Sequence, residues 1–91
     1  MSIRYSKGYL TKIEDIIAET DYVLRYEKGS FKSGYCILND KKIIIVNKYF
    51  PLEGRINSLI DILKIIDVNA KQLSDTSRKL FFELAQTEIQ L

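Results

Sequence analysis

The chain has 91 residues, 46% of them hydrophobic and 29% charged, enough for one domain with a modest core and too apolar for a disordered chain. Its net charge of +2 allows a local basic patch but lacks the strongly basic balance of a dedicated nucleic-acid protein. Cys36 is the only cysteine and histidine is absent, which excludes a disulfide framework, the usual Ser-His-Asp and Cys-His nucleophiles, and the common zinc sites.

The longest apolar runs, Ile43–Val46 and the mixed Leu59–Ile66, fall well short of the ~20 residues that span a bilayer. The opening residues, MSIRYSKGYLTK, lack the apolar core of a signal peptide. The expectation is a single-domain cytosolic protein of bacterial type, covering residues 1–91.

Residues 1–9 read as an N-terminal arm. Thr11 and Glu14 have the spacing of a capping box, so a first helix is predicted from Thr11 to near Thr20. Leu10, Ile13, Ile16 and Ile17 form its apolar stripe. Tyr22–Lys28 alternates as a strand, with Tyr22, Leu24 and Tyr26 on one face and Val23, Arg25 and Glu27 on the other. The half-polar second face suggests an edge or a wetter surface. Gly29 and Ser30 begin a turn, Ser33–Asn39 reads as a second strand, and Asn39-Asp40-Lys41 reads as a tight turn.

A third strand follows at Lys42–Asn47. Its centre, Ile43 to Val46, is apolar on both faces, which predicts cover on both sides. Pro51 suits the start of a second helix running to about Asp67. Ile56, Leu59, Ile60, Leu63 and Ile66 fall on one face of it, while Ile62 and Ile65 widen the apolar surface. Ser74 is the predicted N-cap of a third helix that packs through Leu80, Phe81, Leu84 and Ala85 and leaves Phe82 exposed. The order α-β-β-β-α-α with short turns predicts an α+β fold, a three-stranded antiparallel meander with helices mainly on one face.

Several motifs carry possible chemistry. Gly29 to Gly34 has the glycine spacing of a phosphate loop, but Tyr35 and Cys36 occupy the Lys and Ser/Thr positions and a strand follows. Cys36, between Tyr35 and Ile37, reads as a small buried hydrophobe. Asp61 sits in the middle of a very apolar helix, and it or Glu53 would be the acid or base if a pocket shifted its pKa. Lys28, Lys32, Lys41, Lys42 and Lys48 cluster near strand ends among Phe31, Tyr35, Tyr49 and Phe50. Lysines interleaved with aromatics can hold phosphates and stacked bases; turn lysines also keep sheet edges from aggregating.

Over Ser33–Ile66, the run SGYCILNDKKIIIVNKYFPLEGRINSLIDIL resembles the core of ImmA/IrrE-type metallopeptidases. In that family a glycine-led strand pair leads into the helix that carries the catalytic motif. Asp61 stands for the first metal-binding histidine, Ile62 for the general-base glutamate and Ile65 for the second histidine. The likeness implies a strand-helix scaffold with the zinc site lost. The α-β-β-β-α order also resembles the double-stranded RNA-binding domain. Its lysine-rich helix start is here Pro51-Leu52-Glu53-Gly54-Arg55, with one base and one acid. The chain as a whole resembles a small bacterial protein family, a likeness that carries no activity with it.

Together these features favour a non-enzymatic protein that works through protein contacts and self-associates, as a homodimer for instance, without cofactor, metal or membrane. The apolar excess marks Ile44, Val46, Ile62, Ile65 and Phe82 as interface candidates. The alternatives are an RNA-binding module using the five lysines and an inactive peptidase-like scaffold.

Overall fold

The computed structural model describes residues 4–28 and 35–86. Three helices and a three-stranded mixed sheet make an α+β fold. In chain order the elements are α1 (Lys7–Ala18), β1 (Val23–Glu27), β2 (Tyr35–Leu38), β3 (Ile43–Asn47), α2 (Leu52–Ile65), a short 3-10 turn (Ala70–Gln72) and α3 (Asp75–Ala85).

The meander expectation is overturned. The strand order is β1-β3-β2, with β1 parallel to β3 and β2 antiparallel to it. Only the β2–β3 connection is a hairpin. Parallel neighbours need a long crossover, and residues 28–42, which include β2, provide it. β3 takes the centre, where both of its backbone edges are paired. The predicted turn at Gly29 and Ser30, the phosphate-loop-like glycines and the start of the predicted second strand lie outside the described residues, as do Phe31 and Lys32.

Helix α1 begins four residues before the predicted capping box, within the expected arm. Ser6 is its N-cap, and its Oγ accepts from the Tyr9 N–H at 3.2 Å. Thr11 lies inside the helix and donates its hydroxyl to the Lys7 carbonyl at 3.0 Å. Gly8 is tolerated in the first turn, where a Cβ would meet nothing within 4 Å. Helix α2 starts after Pro51, which offers no side-chain cap. Arg55, from inside the helix, ties down the turn that precedes it. Its Nε donates to the Phe50 carbonyl at 3.0 Å and its Nη2 donates to the Lys48 carbonyl.

Ser74 caps α3 as expected, its Oγ accepting from the Ser77 N–H at 3.3 Å. Glu19, at the end of α1, reaches the same place. Its carboxylate accepts from the Ser74 N–H at 2.6 Å and the Ser77 hydroxyl at 2.7 Å. Arg78 ties the preceding turn, donating to the carbonyls of Ala70 at 3.0 Å and Leu73 at 2.8 Å.

One core joins these elements. Ile13, Ile16 and Ile17 from α1, Ile44 and Val46 from β3, and Ile56, Leu59, Ile60 and Ile62 from α2 are all 0% exposed. Burial alternates along β3: Ile44 and Val46 are enclosed, while Ile43, Ile45 and Asn47 are only partly so. The expected cover on both faces of this strand is therefore complete on one face only.

Candidate functional site

Three of the expected interface residues, Ile44, Val46 and Ile62, are consumed by the chain's own core. They sit where strand and helix periodicity point inward, so they present no surface to a partner. Ile65 and Phe82 are exposed, at 59% and 50%.

The strand register decides what the two sheet faces carry. On the inner face, Tyr26 of β1 and Tyr35 of β2 both pair with Val46 of β3. The Tyr26 hydroxyl donates to Glu14 on α1, and the Tyr35 hydroxyl donates to Asp61 on α2. Burial, followed by the hydrogen bond to Asp61, pushes the Tyr35 hydroxyl up to about 12. Burial also raises Tyr26, aided by Glu14 and opposed by Arg55, whose guanidinium carbon lies 5.0 Å from the ring centroid. Both phenols therefore remain protonated donors over the neutral range. Asp61, the sequence candidate for acid or base chemistry, is engaged as an acceptor that holds sheet to helix.

In the peptidase-like alignment, Ile62 falls in the core, while Asp61 and Ile65 lie on the more exposed side of α2. Glu53 is exposed. Among the described residues, no group of three or more carboxylate, thiol or imidazole side chains could hold a metal ion.

The other sheet face is apolar along one row. Val23, Ile43 and Leu38 are register partners across the three strands, with Val23 56% and Leu38 36% exposed. The next row runs Arg25, Ile45, Cys36. Arg25 pairs with Glu27 at 3.3 Å along the same edge. Sequence reasoning saw Val23, Arg25 and Glu27 on a wetter face but placed Ile43 and Ile45 under cover, because the partners across β3 follow from strand order.

The lysines divide. Lys41 and Lys42 sit in the β2–β3 hairpin, before β3, whereas Lys48 follows it. That separation is about 20 Å of extended chain. Since β1 runs parallel to β3, Lys28 emerges beside Lys48 at the far end. The five lysines thus do not form one patch at the hairpin turns, and Lys32 lies outside the described residues. Lys42 has a φ of 56° and its ammonium lies 5.2 Å from the Tyr22 ring centroid. It borders a polar cleft of about 170 Å3 that also involves Asp21, Asp67, Asn69 and Gln72. Asn69 is already occupied there, its Oδ1 accepting from the Lys71 N–H at 3.1 Å.

Among the described residues no helix is long and apolar enough to cross a membrane. Compared with protein-family models, curated proteins and solved structures, the chain finds no match.

Proposed function

We propose that this chain is a non-enzymatic cytosolic protein that acts through protein contacts, and that its contact surface is the sheet face carrying Val23, Ile43, Leu38 and Ile45. The row Val23–Ile43–Leu38 carries the proposal, since exposed Val23 and Leu38 flank half-buried Ile43 and such neighbouring apolar side chains favour removal from water. The hydrogen bonds from Tyr26 to α1 and from Tyr35 to α2 support helix cover on the opposite face alone.

The occupant we infer is a second copy. Arg25 and Glu27 stand on one edge of this face with side chains 56% and 42% exposed. A twofold rotation that superposes two such faces can exchange these opposite charges across the contact, which makes the surface complementary to itself. Size limits the strength. Three short strands present a face of roughly 200 Å2 in projection, against about 800 Å2 per partner in a standard interface. The pairing is therefore weak and concentration-dependent.

Sedimentation over a wide concentration range tests this. The native chain is expected to shift from monomer towards dimer, and a variant with Val23→Glu and Ile45→Lys is expected to remain monomeric with unchanged circular dichroism. A native chain that stays monomeric at the highest attainable concentration removes the reading.

A further inference from the structure

A second surface lies where β1 and β3 end. Tyr49 is 66% exposed, the most exposed of the large hydrophobic side chains described. Two lysines from different strand ends converge on it: the Lys28 and Lys48 ammonium groups lie 5.8 and 5.6 Å from its ring centroid. Neither stands in an ion pair among the described residues.

The turn that displays Tyr49 is held from several sides. The Asn47 Oδ1 accepts from the Tyr49 N–H at 3.0 Å, and the Asn47 carbonyl accepts from the Phe50 N–H at 3.1 Å. The Lys48 N–H donates to the Glu27 carbonyl at 3.1 Å, fastening the turn to β1. Arg55 donates to the carbonyls of Lys48 and Phe50. An exposed aromatic ring on a tied-down turn, with two cations over it, is a poor use of a core residue. It is a good use of a planar stacking platform.

We propose that Lys28, Tyr49 and Lys48 bind a nucleotide unit, with its phosphate between the two ammonium groups and its base stacked on the tyrosine ring. Lysines act as point charges towards phosphate. An acidic peptide would satisfy the lysines equally but would leave the ring unused, so the exposed ring favours a planar ligand. The site is independent of the apolar sheet face. It also differs from RNA binding by hairpin-turn lysines, since Lys41 and Lys42 stand at the other end of β3.

Backbone amide spectra of the full chain, titrated at low salt with inorganic phosphate, AMP, a short oligoadenylate and polyglutamate, test the proposal. Shifts at Lys28, Lys48 and Tyr49 are expected, with AMP at least about fivefold tighter than phosphate, the lower end of what one stacked base contributes. Tyr49→Ala should erase that advantage, Lys28→Glu with Lys48→Glu should abolish binding, and Lys41→Glu should leave it unchanged. Circular dichroism checks that each variant is folded. An oligoadenylate that binds tighter than AMP, with a log–log salt slope of about −0.7 for the one phosphate held by the two lysines, identifies single-stranded nucleic acid as the source. Equal affinities identify a free nucleotide. No shift with AMP, no effect of Tyr49→Ala in a folded chain, or polyglutamate competing as well as AMP overturns the proposal.

Discussion

Tyr26 and Tyr35 flank Val46 in one row of the sheet, and each donates its hydroxyl to a carboxylate on a different helix, Glu14 on α1 and Asp61 on α2. The two outer strands are thus fastened independently, one to each helix. Hydrogen bonds to charged acceptors contribute about 1.5–3 kcal/mol when partly buried. Tyr35→Phe and Tyr26→Phe are each expected to lower stability by about 1–2 kcal/mol in urea denaturation. The rings sit two strand spacings apart, about 9.6 Å, where effects add to within about 0.5 kcal/mol. A double variant that costs far less than the sum would show that the two pins act as one network.

Alkaline titration reports on the same bonds. The folded Tyr35 hydroxyl is raised from 10.0 to about 12, and Tyr26 is raised as well. A group raised in the folded state releases its proton first in the unfolded chain. Its stabilisation is therefore complete below pH 10.0 and lost as pH climbs towards the folded value. Urea midpoints measured through that window should fall more steeply for the native chain than for Tyr35→Phe. Parallel curves would contradict the assignment.

Glu19 gives the opposite sign at acid pH. The Ser74 N–H, then the Ser77 hydroxyl, holds its carboxyl below the ordinary 4.5. A lowered folded pKa contributes stability that is present above 4.5 and lost as pH falls through the folded value. Glu19→Gln should flatten the acid side of the stability profile and raise the local hydrogen exchange of the first turn of α3. An unchanged acid limb in the variant would mean that the carboxylate does not hold this junction.

Ile62 and Ile65 separate core from surface within one helix. Ile62 is 0% exposed and Ile65 is 59% exposed. Ile62→Ala is expected to cost about 2–5 kcal/mol, and Ile65→Ala to stay within about 0.5 kcal/mol of the native chain. Thermal unfolding of the two variants checks this, and comparable losses at both positions would mean that α2 is rotated from the orientation described.

The packing faces of the helices were legible from their apolar stripes, and the start of α3 from its cap. The Ser74 cap is present, and Ile13, Ile16, Ile17, Ile56, Leu59 and Ile60 are enclosed where helical spacing placed them. Helix α1 starts earlier than the sequence suggests because Thr11 and Glu14 satisfy the capping-box spacing without forming one. In the fold, Glu14 accepts from Tyr26 across the domain and Ser6 takes the cap. No local pattern reveals a partner twelve residues away on another element.

What the residues settled by themselves was local: helical periodicity, the Ser74 cap, the tight turn at Asn39, and the absence of imidazole and paired thiols. Short-range sterics and side-chain chemistry suffice for these. Strand order belonged to the tertiary structure, because any strand can pair with either edge of another and the choice depends on which arrangement best shelters the whole. Putting β3 between β1 and β2 sent Ile44 and Val46 into the core, left Val23, Ile43 and Leu38 in one outward row, and brought Lys28 beside Lys48 at Tyr49. Both surfaces proposed for function are products of that pairing.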